Sequence, residues 1–202
     1  TGDGQTGEIP VAGSLWEENL AEAGLAKYTI VDGQIVADQA YYGNRQLGSV
    51  TLPEGIREIG QFSFARSSMT DIVIPEGVTD IGYGAFYHCD SLATVTLPES
   101  VMNVEPKAFE NTAWMKNFLD SGEEFLISGG VLVSYGGESA AVMVPEGVRV
   151  IGAEAFAEHE EMESLTLPDS VKVIGEGAFE NCSNLVQVDL GMGVEEIKDR
   201  SF

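Results

Sequence analysis

The chain has 202 residues, 33 of them acidic against 10 basic, for a formal net charge of −23. Such a surface repels phosphate backbones and anionic headgroups, so nucleic acid and direct membrane insertion are both disfavoured. Hydrophobic residues make up 44%, too many for disorder, yet the longest purely apolar run, Ala140 to Val144, is far too short to cross a bilayer.

Residues 1–13 (TGDGQTGEIPVAG) read as a flexible linker rich in Gly, Thr and Asp. A start at Thr1 rather than Met fits a processed or trimmed protein whose export signal has gone. Residues 14–36 are expected to form an N-terminal capping helix and a hairpin. Ser14-x-x-Glu17 is a capping box, Leu15, Trp16 and Leu20 give an apolar side, and Gly24 stops the helix. YTIVDGQIV (28–36) then reads as two short strands around Asp32-Gly33.

A repeat takes over from residue 37. Phe64, Phe86, Phe109, Phe156, Phe179 and Phe202 follow one another at gaps of 22, 23, 47, 23 and 23, and Tyr41 extends the series upstream by another 23. The gap of 47 contains an insertion of 24 residues. A period near 23 means one small supersecondary unit stacked on copies of itself, so the chain reads as an α/β-type repeat solenoid. Aligned on Phe, successive units are VTLPEGIREIGQFSF (50–64), IVIPEGVTDIGYGAF (72–86), VTLPESVMNVEPKAF (95–109), VMVPEGVRVIGAEAF (142–156), LTLPDSVKVIGEGAF (165–179) and VDLGMGVEEIKDRSF (188–202).

Each slot in the unit has a physical role. Leu92, Val95 and Leu97 end in strict alternation, the mark of a short strand with one face buried. Pro98 lacks an N–H and stops pairing. A Glu-Gly or Glu-Ser turn follows, with Gly55, Gly77 and Gly147 able to supply positive φ. Val101 and Val104 return inward, and Ala108-Phe109 closes the far wall. One coil buries too little apolar surface to offset its own ordering entropy, so stability has to come from stacking into a single continuous interior.

The pattern L-x-x-V-x-L-P-E-G-V-x-x-I-G-x-x-A-F-x-x-C-x-x-L resembles the BspA-type leucine-rich repeat of bacterial surface proteins, over residues 37–202. The resemblance implies a right-handed leucine-rich repeat coil with a parallel β-sheet on one face. It also implies a secreted or surface-anchored protein, some relatives being adhesins for host proteins. Gly191 in place of Pro in the last copy and the shortened link ARSSM (65–69) depart from the pattern.

The repeats divide into a first block (37–111) and a second (142–202), separated by a helix and hairpin insertion (112–141). Within it Trp114, Met115, Phe118 and Leu119 form a short apolar helix that docks the insertion, and FLISGGVLV (125–133) reads as an inserted β-hairpin around Gly129-Gly130.

Few residues invite chemistry. Cys89 and Cys182 share one inward slot, also held by Asn44, Ser67, Thr112 and His159, and lie too many coils apart for a disulfide. His159 sits in an acidic run, but no second His or Cys stands at ligand spacing, so no metal or cofactor is expected. Glu54, Glu76, Glu99, Glu146 and Asp169 should align in a column, each carboxylate bonded to its own turn, although a weak calcium track is conceivable. No nucleophile–base set or phosphate loop emerges, so the chain is not read as an enzyme.

The outward side of the sheet is the candidate partner-binding surface. Its column is Thr51, Val73, Thr96, Met143, Thr166 and Asp189, flanked by Ser49, Asp71, Thr94, Ala141, Ser164 and Gln187. Only two acids fall on it, which leaves a smooth, mildly apolar strip. Trp114 and Tyr135 of the insertion are candidate additional contacts. The chain stops at Phe202 in mid-unit, so either further repeats follow or another chain covers this end, and end-to-end self-association at the open edge is a further expectation. The leading expectation is a non-catalytic interaction module of an exported bacterial protein that contacts an extracellular protein or glycoprotein. The alternative is a rigid spacer or stalk presenting another domain.

Overall fold

A computed structural model gives the fold and describes residues 5–8, 30–31, 35–52 and 54–202. The expected capping helix over 14–24 and the Asp32-Gly33 turn lie outside the described residues. Within them the chain is a parallel β-solenoid of about seven turns.

In chain order the first block comprises β1 (Gln5–Glu8), the hairpin strands β2 (Ile30–Val31) and β3 (Ile35–Val36), then β4 (Leu47–Thr51), β5 (Glu58–Ile59), β6 (Asp71–Val73), β7 (Asp80–Ile81), β8 (Thr94–Thr96) and β9 (Asn103–Val104). Helix α1 (Ala113–Ser121) and a second hairpin, β10 (Phe125–Ser128) and β11 (Val131–Tyr135), lead into the second block. That block holds β12 (Ala141–Met143), β13 (Val150–Ile151), β14 (Ser164–Thr166), β15 (Val173–Ile174), β16 (Gln187–Asp189) and β17 (Glu196–Ile197).

Every coil therefore carries two strands, and the expectation of a sheet on one face is corrected to two ladders per block. The front ladders run β1-β4-β6-β8 and β12-β14-β16, and the back ladders β2-β3-β5-β7-β9 and β10-β11-β13-β15-β17. All pairs are parallel except within the two hairpins. Each hairpin thus begins a back ladder, its second strand standing where a preceding coil's strand would be. Residues 5–8, read from the sequence as linker, pair with β4 and cover what would otherwise be an open front edge.

The turn between the ladders uses the expected chemistry, with positive φ at Gly55, Gly77 and Gly147. Where Ser100 replaces that glycine, its hydroxyl donates to Val78 O at 2.7 Å and accepts from Gly77 N at 2.9 Å, so the side chain ties two coils together. The glycine after the inward Ile is small for another reason. At Gly175 an added Cβ would lie 2.6 Å from Ala153 N of the preceding coil, closer than any side chain can sit.

A third ladder holds the ring side. Phe62, Phe64 and Arg66 donate their N–H groups to Tyr83, Ala85 and Tyr87 of the next coil, at 2.8–2.9 Å. The residues two before and two after the ring are left-handed in coil after coil, among them Phe62, Arg66, His88, Lys107, Asn111, Glu154, Glu158 and Asn181. This alternation aims every second amide along the stack. The intervening amides close local turns, as Ser63 N does on Gly60 O. A left-handed non-glycine residue costs about 1 kcal/mol, offset here by a hydrogen bond to the next coil.

The expected single interior is in fact two. Tyr41, Phe64, Phe86 and Phe109 stack with centroids 5.0–5.3 Å apart and planes within 4° of parallel. Trp114 then meets Phe109 edge-on and ends that column. A second column runs through Phe125, Tyr135, Phe156, Phe179 and Phe202. Each column belongs to its own buried cluster.

The seam between the clusters is formed by strands β11, β13 and β15 of the second block's back ladder, which are buried on both sides. Leu132, Ile151 and Ile174 point into the second cluster, while the alternate residues Val131, Val133, Val150 and Val173 join the first. Ala153 N bonds Val104 O at 3.2 Å, Arg149 bonds the carbonyls of Glu99 and Gly129, and Lys198 Nζ reaches Asn103 Oδ1 at 2.8 Å. The second block thus caps the end of the first with the outer side of its own sheet.

Candidate functional site

The front ladders place the candidate strip as two trios. Register aligns Thr51, Val73 and Thr96 in the first block, and Met143, Thr166 and Asp189 in the second. Strand β8 does not pair with β12, so one continuous column is corrected to two. In place of a following coil, Ser128 Oγ of the hairpin accepts from Leu97 N at 3.0 Å, and Trp114 N donates to Leu92 O at 2.6 Å. Val73 is 61% exposed and Met143 74%, and Thr94, Thr96, Thr166 and Asp189 are exposed beside them. The strip is open to solvent, with apolar Val73 at the middle of the first trio, Met143 at one end of the second, and no aromatic or arginine anchor among its described side chains.

The insertion behaves differently from the sequence expectation. Thr112 caps α1 by accepting from Met115 N at 3.1 Å, and Gly122 ends it in the left-handed conformation. Phe118 is buried, while Trp114 and Met115 pack half-buried on the first cluster. Leu119 faces solvent and takes no part in docking. Tyr135, expected as a surface contact, is buried in the second ring column with its hydroxyl accepting from Ser139 N at 3.3 Å. It occupies the ring slot of the coil before Phe156, so its surface is spent on packing.

The slot three residues after the ring is a carbonyl-binding position. Cys89 donates to Phe64 O and Cys182 to Phe156 O, each at 3.0 Å, and Thr112 Oγ1 donates to Phe109 O at 2.9 Å. His159 Nδ1 lies 3.1 Å from Phe156 O, filling the same role. Both cysteines are free, Cys89 buried and Cys182 half-buried, and burial pushes both thiols above their ordinary pKa. They are therefore neutral, weakly nucleophilic packing groups. No cluster of three or more His, Cys, Asp or Glu able to hold a metal ion occurs among the described residues.

Two of the acids beside the proline bond forward to the next coil rather than to their own turns, which corrects the expectation at those positions. Glu76 accepts from Glu99 N at 3.3 Å, and Asp169 accepts from Met192 N at 2.8 Å. Two further acids stand in line on the outer back ladder of the first block, where Glu58 aligns with Asp80, and Asp80 with Asn103. Partial burial and then the charges of Asp80, Asp38 and Glu105 raise the Glu58 pKa. Glu154 on the ring side of the second block is likewise raised, chiefly by burial.

The ring side of the first block carries what the front face lacks. Phe62 meets Tyr83 at 5.3 Å and Tyr87 at 6.3 Å, both edge-on, and Tyr87 meets His88 at 4.5 Å. Beside them the link turns bring Arg45, Arg66 and His88 to one cleft of about 240 Å³. The sequence singled out none of these as a set, because they stand on three successive coils, Arg45 four residues after its ring and Arg66 and His88 two after theirs. A signal was present nonetheless: the equivalent positions of the second block are Glu158, Glu160 and Asn181.

The BspA type leucine rich repeat region matches in six copies, over residues 22–123 and 138–202. No curated protein matches the chain at a significant level. Among solved structures, a leucine-rich repeat protein of T. pallidum is 25% identical over 87% of this chain and 84% of its own, with a TM-score of 0.46. One from Bacteroides ovatus is 18% identical over 81% of this chain, with a TM-score of 0.44, and the chain spans 66% of its length. A leucine rich cell surface protein from Faecalibacterium prausnitzii is 23% identical over 84% of this chain and 68% of its own, with a TM-score of 0.34.

Proposed function

The chain belongs to the BspA-type leucine-rich repeat family, and from that premise we propose that it is a non-catalytic protein-interaction module of an exported bacterial protein, displayed at the cell surface. Its partner is an extracellular protein or glycoprotein, held on the front ladders. The observation that carries this reading is the exposure of Val73 and Met143 amid threonines on a front face where a chain with 33 acids places few. A rigid face built from three hydrogen-bonded ladders loses little entropy on binding. The split into two trios favours a partner that spans both rather than a single extended strand.

The test is a binding screen against extracellular-matrix and mucosal proteins, repeated with Thr96→Arg and with Met143→Arg. Each change places a bulky cation at the end of one trio that adjoins the break between the blocks, and is expected to weaken a genuine partner by about tenfold or more. A partner that binds both variants as well as the parent removes the front face from consideration.

A further inference from the structure

We infer that a trough along the link turns of the first block binds an acidic saccharide, its sulfate or carboxylate held in the polar cleft between Arg45 and Arg66. This surface lies away from the front ladders and does not depend on what they bind. Two adjoining clefts form it. The first, of about 240 Å³, is lined by Arg45, Arg66, Ser68, His88, Asp90 and Ser91, together with the buried Ser67. The second, of about 800 Å³, shares His88 and Asp90 and continues past Asn111 to Lys116 and Asp120 of α1, with Ala113, Met115 and Leu119 adding an apolar wall. The trough therefore extends beyond a single sugar ring.

Charge is the first argument. In a chain of net charge −23, the first cleft gathers two arginines and a histidine against one carboxylate. Neither guanidinium has an ion pair or hydrogen bond among the described residues. The cations of the second block are all engaged: Lys172 with Glu195, Arg200 with Glu176, Arg149 with backbone carbonyls and Lys198 with Asn103. Two free guanidiniums on one cleft present paired donors that match a carboxylate or sulfate.

Lining chemistry is the second argument. No purely apolar side chain lines the first cleft, which gives a hydrophobic anchor residue of a peptide nothing to grip. It offers donors and acceptors together, as sugar hydroxyls require. His88 stands 3.4 Å from Asp90 and 3.2 Å from Asn111, and the edge of Tyr87 fixes its ring. Ser68 already donates to Leu47 O, which leaves its oxygen to accept. The overall negative field disfavours a long polyanion, but it is screened beyond about 8 Å at physiological salt, so a short acidic oligosaccharide is the fitting ligand.

Calorimetric titration of the full chain tests this with four probes: trigalacturonate, a sulfated chondroitin disaccharide, neutral maltotriose and tetraglutamate. At least one acidic sugar is expected to bind with Kd below about 1 mM, and maltotriose at least about tenfold more weakly. Tighter binding of the chondroitin disaccharide than of trigalacturonate would assign a share of the recognition to its sulfate, since both sugars carry a carboxylate. The double variant Arg45→Gln/Arg66→Gln is expected to weaken binding by about tenfold or more, and Ser91→Glu, at an exposed position, by a similar factor. The control Lys172→Gln/Arg200→Gln should leave binding unchanged, and melting curves verify that the variants fold. Equal binding of neutral and acidic sugars, retention of binding by the double variant, tighter binding of tetraglutamate than of either acidic sugar, or no binding of any sugar overturns the inference.

Discussion

One ladder slot separates the two blocks. On the back strands of the first block the residue beside the inward Ile or Val is Glu58, Asp80 or Asn103, and it faces outward. In the second block the same slot holds Val150 and Val173, both buried, before returning to exposed Glu196 in the last coil. The backbone, register and neighbouring core residue are alike. Only the polarity of the outward position differs, and it decides whether a ladder is a solvent-facing wall or an internal partition. Blocks of equal local sequence thus acquire different roles, one as the capped stack and the other as its lid.

The largest expected effect comes from giving the second block the first block's polarity. Val150→Asp buries a carboxylate at the seam without a partner, which is expected to cost about 4 kcal/mol or more. Because it strikes the contact between clusters, a melt followed by circular dichroism should divide into two transitions. A single transition lowered as a whole would mean that the blocks unfold together even with the seam broken.

A smaller effect, of opposite sign, is expected on the ring side, where both blocks use left-handed residues. Glu158→Gly relieves φ +65 at an exposed link position and should stabilise the chain by about 1 kcal/mol. A fall in midpoint on urea unfolding would show that the glutamate side chain contributes more than its backbone costs.

The smallest effect sharpens the comparison from the first block's side. Glu58 has its pKa raised in the folded state, so the native chain holds that proton more tightly than the unfolded chain does. Its contribution is fully favourable below the unfolded value near 4.5 and is lost as pH rises through the raised folded value. Glu58→Gln should flatten that part of the stability–pH curve and leave the rest unaltered. A curve of unchanged slope would place the acid column's repulsion elsewhere.

The fold was legible wherever one residue type recurs for one reason. Phenylalanine spacing located the ring columns, the glycine after Pro-Glu marked the turns, and Gly129-Gly130 marked the second hairpin. The back ladders were not legible, because two-residue strands such as Glu58–Ile59 are too short to show alternation. The seam required comparing one slot across blocks, not reading along the chain. Tyr135 looked like an exposed insertion residue because it stands 21 residues before Phe156, off the repeat period, although its ring stacks in the column. The front strip was placed residue by residue, but its division was hidden in the insertion. The Arg45, Arg66 and His88 cleft needed three coils in register before its members met.

Hydrogen bonding from the amides of one coil to the carbonyls of the next also bears on how such a chain can change length. A duplicated coil placed between Phe64 and Phe86 would find, above and below, the same carbonyls its parent uses, so growth inside an arm disturbs little. The partition has no such freedom. Val150, Val173 and Arg149 fit one terminal coil, and an added unit there would face valines meant for another surface. Lineages of this architecture should therefore vary in the reach of their arms while inheriting the elbow intact.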